Sequence, residues 1–175
     1  QGITIVREPG DTRIVGEEWH IDTAMMPEPP MGAILFSIET PDYGGDTLFA
    51  NQYLAYEALS DGMKSLLTNL KAVNSDRLVA GPGAAARSSN RATKARTDAG
   101  WKETISLHPV VREHPETGRK ASYVNEHFTR RIVELSHEES ELLLGYLTKW
   151  VAQSHFTLRY KWTNGTVAMW DNRCT

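Results

Sequence analysis

Two hydrophobic rhythms divide the chain. Over residues 51–70, Leu54, Ala58, Leu59, Met63, Leu66, Leu67 and Leu70 recur at spacings of three and four, which predicts helix. Asp61-Gly62 is expected to break that helix in two. A further helix is predicted from Ser136, where Ser136-His137-Glu138-Glu139 has the form of a capping box ahead of Leu142, Leu143, Tyr146, Leu147 and Trp150. Elsewhere the rhythm suits strands. Residues 2–7 (GITIVR), 71–75, 104–112 and 121–125 read as strands, and a short one follows the Gly44-Gly45 turn. Residues 32–39 (GAILFSIE) are almost continuously apolar, which predicts a strand buried on both faces. Residues 156–162 alternate, Asn164-Gly165 suits a type I′ hairpin turn, and residues 166–170 are expected to return beside them.

The segments between these elements are irregular. Pro9, Gly10 and Asp11 form a turn cluster, and Pro27, Pro29 and Pro30 forbid regular pairing after residue 22. Pro115 and Gly118 mark another turn. Residues 76–100 are rich in Gly, Ala, Ser and Arg and lack periodicity, so a flexible loop is expected there, either solvated or a substrate lid. No repeat or linker divides residues 1–175, which reads as a single domain. Many short strands with helices laid outside suggest a mainly β fold with flanking helices, a barrel or jelly roll.

Composition narrows the function classes. The chain has 175 residues, 40% hydrophobic and 23% charged, and a net charge of -3. That balance exerts no general pull toward nucleic acid or an anionic membrane. No apolar run approaches the roughly eighteen residues of a membrane-spanning helix. The lone Cys174 excludes an internal disulfide and fits a reducing, cytoplasmic compartment. A chain that opens at Gln1 and stops at Thr175 is expected to be a fragment, incomplete at both ends.

Trp19-His20-Ile21-Asp22 carries the first chemical signal. A His and an Asp two residues apart face the same way in an extended segment. An imidazole and a carboxylate can then be two corners of a site with two His and one carboxylate, the set used by non-haem Fe(II) oxygenases. On spacing alone, a surface His beside a solvated Asp is the commoner outcome.

Three more segments change the picture: Gly44-Gly45-Asp46-Thr47, Tyr123-Val124-Asn125-Glu126 and Trp170-Asp171-Asn172-Arg173-Cys174-Thr175. In order and context the four resemble the taurine dioxygenase family, Fe(II)- and 2-oxoglutarate-dependent oxygenases that include the 2,4-D-degrading enzymes. The resemblance implies a double-stranded β-helix, a cupin-like jelly-roll barrel with iron at its mouth. It implies that His20 and Asp22 are iron ligands and that the Thr47 hydroxyl hydrogen-bonds 2-oxoglutarate. It also implies that Thr23, Met25, Asn125 and Phe128 border the substrate. The family's last iron ligand, a His two positions after the Thr of Trp-Asp-Asn-Arg-x-Thr, and an Arg that anchors 2-oxoglutarate would both lie beyond Thr175. His108, His114, His127, His137 and His155 read instead as structural or surface residues, and the five Trp as mostly structural.

The reaction implied couples oxidative decarboxylation of 2-oxoglutarate by O2 to hydroxylation of a small organic anion, with C–O or C–S cleavage where the product collapses. The GEEWHID and DNRCT spellings are most similar to the aryloxyalkanoate branch, with taurine-type sulfonates and alkyl sulfates as alternatives. No nucleic-acid or membrane partner is implied, and homo-oligomerisation stays open. The rival readings are a jelly-roll ligand-binding domain that has lost its metal and a cupin-like hydrolase or isomerase, in which Gly44 to Thr47 would have no evident role.

Overall fold

The computed structural model describes residues 3–93 and 100–175. Among these, the first half holds β1 (Gly32–Phe36), β2 (Thr47–Ala50), α1 (Gln52–Glu57), α2 (Asp61–Leu67), β3 (Lys71–Ser75), α3 (Arg77–Ala80) and α4 (Ala84–Arg87). The second half holds β4 (Ile105–Pro109), β5 (Val111–Glu113), β6 (Lys120–Ser122), β7 (Thr129–Ile132), α5 (His137–Val151), β8 (Thr157–Tyr160) and β9 (Val167–Asp171). All pairing is antiparallel: β1 with β9, β2 with β8, β5 with β6, and β3 between β4 and β7.

Local chemistry explains the helices. Asn51 accepts from the Leu54 amide to start α1, and Ser60 accepts from the Met63 amide to start α2. The break between them therefore falls at residues 58–60, and Asp61 and Gly62 form the first turn of α2 instead of ending α1. The capping box at Ser136 and Glu139 is complete, with both reciprocal bonds present. Helix α5 then lays Leu147 and Val151 inward. The principal core joins Tyr56, Leu59, Leu67, Leu70, Val110, Val124, Ile132 and Leu147. Leu67 and Ile132 are fully buried, each contributing on the order of 1.5–3 kcal/mol by leaving water.

Four expectations change. Residues 3–7 make no ladder; Val6 instead exchanges backbone bonds with the Thr93 hydroxyl, and Ile3 and Ile5 stay exposed. Strand β1 is not buried on both faces: Ile34 is 68% and Phe36 57% exposed, and among the described residues its ladder partner is β9. The strands flanking Asn164-Gly165 do not form a hairpin. Six residues separate β8 from β9, and each strand pairs with a different partner. The turn is a corner between two ribbons, tied to the end of β1 by Gly165 N–H to the Ser37 carbonyl and by the Asn164 side chain to Thr40. Within 76–100, α3 and α4 are ordered and Arg87 caps the Leu78 carbonyl; residues 94–99 lie outside the described residues. Strand β7 was not foreseen. No helix among the described residues is long and apolar enough to cross a membrane.

Candidate metal centre

His20 and Asp22 do face the same way, although no ladder holds them. His20 Nε2 lies 3.4 Å from Asp22 Oδ1. Ile21 is buried, and the chain then turns through 21–26, with Ala24 N–H on the Ile21 carbonyl and Met26 N–H on that of Thr23. Thr23 takes a left-handed φ of 51°, unusual for a β-branched residue and costing on the order of 1–3 kcal/mol. Distant segments hold that turn. Strand β4 points its polar residues inward: the Ser106 hydroxyl donates to the Ala24 carbonyl and His108 Nε2–H to that of Met26. Burial is the largest influence on His108 and lowers its pKa. Asn172, almost fully buried, accepts from the Asp22 amide at 3.0 Å and donates to the Asp22 carbonyl at 2.8 Å.

The imidazole of His20 has one defined orientation. Its Nδ1 lies 2.8 Å from the Glu18 carbonyl, which only accepts, so Nδ1 carries the proton and Nε2 faces Asp22. Gly16, at a φ of 75°, packs so closely that an added Cβ would sit 3.1 Å from His20 Cε1. The Glu18 carboxylate is itself held by His127 Nδ1 at 2.6 Å, and Arg130 donates to the His127 carbonyl. Burial pulls the His20 pKa down, but Asp22, which would accept from a protonated Nε2, the Glu18 carbonyl and the nearby negative charge outweigh it, and the net shift is upward. Two acceptors 3.4 Å apart favour a cation at their open side. One imidazole nitrogen and one carboxylate oxygen, with the other ring nitrogen fixed by a carbonyl, are a donor set that suits a divalent transition metal.

The remaining expected site residues divide into those beside this pair and those on β2. Phe128 and Met25 pack with Ile21, Ala24 and Tyr123 in one cluster, so both border the turn carrying Asp22. The buried Thr23 Oγ1, Asn125 Nδ2 and Tyr123 hydroxyl have no hydrogen-bond partner among the described residues. Such orphans are costly, and their grouping on these segments marks a place where polar partners are due. Asn125 Oδ1 is already used, accepting from the Phe128 amide. Thr47 opens β2 after Gly44 and Gly45, both left-handed, and its hydroxyl accepts from Trp162 Nε1 at 2.9 Å.

A rival cluster does not fit a metal. His114, Asp171 and Cys174 hold ligand-type atoms within 4.8 Å of one another. Yet His114 Nδ1 accepts from the Glu116 and Thr117 amides, so Nε2 carries the proton and donates to Asp171 Oδ2. Both Asp171 oxygens also take Arg173, which leaves no lone pair aimed at an ion. Of the other histidines, His108 and His127 serve as described, His137 pairs on the surface with Glu141, and His155 packs on Phe156.

The taurine catabolism dioxygenase TauD, TfdA family matches residues 4–175. The chain belongs to this family. Among its TauD/TfdA relatives, an alpha-ketoglutarate-dependent sulfonate dioxygenase of Saccharomyces cerevisiae is 37% identical over 159 residues, 89% of this chain and 36% of that protein. An (S)-phenoxypropionate/alpha-ketoglutarate-dioxygenase of Sphingobium herbicidovorans is 32% identical over 89% of this chain and 54% of its own. The crystal structure of AAD-2 in complex with Mn(II) and N-oxalylglycine superposes with a TM-score of 0.74 at 30% identity, over 89% of this chain and 59% of that one. The chain therefore spans about half the length, or less, of the curated relatives it matches.

Sequence reasoning missed three contributors in this TauD/TfdA chain. Asn172 sat inside a noticed motif, but its bond to Asp22 crosses 150 residues. The Glu18 carbonyl is backbone and leaves no sequence mark. Trp162 was grouped with the structural tryptophans.

Proposed function

We propose that the protein is an Fe(II)- and 2-oxoglutarate-dependent dioxygenase that hydroxylates a small organic anion. The observation that carries this reading is the His20–Asp22 pair, 3.4 Å apart, with Nδ1 committed to Glu18 and Nε2 left for a metal. His20 and Asp22 would hold Fe(II). When bound, the iron supplies the chemistry that couples O2 and 2-oxoglutarate decarboxylation to C–H oxidation.

The chain's own residues supply geometry and polarity. Asn172 fixes the backbone of Asp22, and Glu18 fixes the ring of His20. The Thr47 hydroxyl would donate to a 2-oxoglutarate carboxylate. Thr23, Met25, Asn125 and Phe128 would border the prime substrate, the unsatisfied Thr23 Oγ1 and Asn125 Nδ2 offering polar contacts and Phe128 and Met25 an apolar wall. The matches to a sulfonate dioxygenase at 37% identity and a sulfate ester dioxygenase at 35%, against 32% for the phenoxypropionate enzyme, favour a sulfonate or sulfate ester over an aryloxyalkanoate. A jelly-roll domain that had lost its metal would have no use for so defined a ring orientation.

We read residues 1–175 as a single jelly-roll, double-stranded β-helix domain that spans only part of its relatives' length. Residues 77–87, which hold α3 and α4, would flank the site, since Val79 packs against the cluster of Ile21 and Phe128. The lone Cys174 supports a cytoplasmic location.

The deciding experiment is anaerobic titration of Fe(II) and 2-oxoglutarate into the full-length protein. A weak visible charge-transfer band is expected, and its absence sinks the oxygenase reading. Thr47→Ala should raise the 2-oxoglutarate requirement several-fold, on the order of one lost hydrogen bond to a charged group, and leave the prime-substrate KM unchanged.

A further inference from the structure

We propose that Trp162 is a positioning residue for the cosubstrate: its indole N–H occupies a lone pair of the Thr47 hydroxyl and so turns the Thr47 O–H toward an incoming carboxylate. The inference rests on reading Thr47 as a 2-oxoglutarate contact. Its direction follows from donor chemistry. An indole nitrogen has a proton and no lone pair in the ring plane, so across the 2.9 Å contact Trp162 donates and Thr47 accepts. The threonine proton is then left for another acceptor, and among the described residues Thr47 Oγ1 makes no bond in which it donates. Left to itself, a threonine hydroxyl on a strand turns to a nearby carbonyl.

The indole is well placed to enforce this. Trp162 is buried, and its ring packs edge-to-face on Tyr160 with centroids 5.1 Å apart. Tyr160 is the cross-strand partner of Thr47, so the same pairing that sets the β2–β8 register sets the distance between indole and hydroxyl. Phe49, on the same face of β2 as Thr47, packs on Trp170 with ring centroids 5.2 Å apart, two residues before the Asn172 that holds Asp22. The corner turn after β8 is tied to the end of β1 through Ser37 and Thr40, which holds Trp162 at the point where the chain changes sheets.

The test is a double-mutant cycle on the full-length protein loaded with Mn(II), reading the dissociation constant of N-oxalylglycine by calorimetry instead of turnover. Trp162→Phe removes the N–H and keeps an aromatic ring; it should weaken binding by roughly three- to tenfold, as should Thr47→Ala. The double variant should bind no more weakly than Thr47→Ala alone, because an indole that acts through the hydroxyl has nothing to orient once the hydroxyl is gone. Effects that multiply would make Trp162 a packing residue and overturn the proposal. So would unchanged binding in Trp162→Phe when Thr47→Ala binds weakly. If Thr47→Ala itself leaves binding unchanged, the reading of Thr47 falls and the proposal with it. Should Trp162→Phe fold poorly, benzothienylalanine at 162 replaces N–H by sulfur within the same bicyclic ring, and the same loss of affinity is expected.

Discussion

The chain contains two His–Asp pairs with opposite fates. His20 and Asp22 are neighbours in sequence, stand 3.4 Å apart, and keep about a third of each side chain exposed. His114 and Asp171 come from distant segments, meet at 3.0 Å, and the His114 side chain is only 3% exposed. The second pair is tighter and more deeply set, yet it is the first that suits a metal. Every lone pair at His114 and Asp171 is taken, by three amides, one ring proton and a forked guanidinium. At His20 one ring nitrogen is committed and the other is open. Residue type and proximity nominate a metal site; unfilled coordination makes one.

The sharpest way to break this comparison is to remove a ligand. Asp22→Ala should weaken Mn(II) or Fe(II) binding to the full-length protein by more than about a hundredfold and abolish metal-dependent turnover, beyond what loss of a supporting contact causes. Calorimetric titration checks it, and near-normal affinity removes this carboxylate from the iron site. Asn172→Ala comes next. Losing both bonds to the Asp22 backbone should cost roughly tenfold in metal affinity, and the vacated buried amide should lower stability by about 1–3 kcal/mol. His114→Ala should do the converse: denaturant melts should show a loss of about 2–3 kcal/mol, while the metal dissociation constant stays within about twofold.

The smallest effect is in acid. The forked bond from Arg173 is the largest influence on Asp171 and, with His114, overcomes burial to hold its pKa well below the ordinary 3.8. The stabilisation from this pairing is therefore complete above about 3.8 and disappears as pH falls below it toward the folded value. Urea melts from about pH 5 downward should show a steeper loss in the parent chain than in Asp171→Asn. The same series read through metal affinity should not separate the two proteins.

The contrast also separates what was legible. The capping box at Ser136 and the apolar spacing in residues 51–70 predicted their helices, since both depend on contacts three and four residues apart. The common facing of His20 and Asp22 followed from the two-residue period. By contrast, the alternation over residues 156–162 and the Asn164-Gly165 turn pointed to a hairpin that does not form. Strand β8 finds its edge on β2 and β9 on β1, over a hundred residues away. Residues 32–39 were apolar enough to suggest burial on both faces, but local sequence cannot say whether another layer packs over each face of a strand. On β4 the inward residues are Ser106 and His108 while Leu107 faces out, because the turn they hold offers bare carbonyls.

By itself, then, the sequence determined helices α1, α2 and α5, the Gly-Gly turn before Thr47, the ligand-type pair at 20 and 22 and the family pattern that joins them. Only the tertiary structure decided that Asn172 grips Asp22, that Trp162 donates to Thr47, and that His114 is closed to metal. Each of those contacts spans more than fifty residues, and side chains that far apart meet only when strand pairing and core packing have brought their segments together.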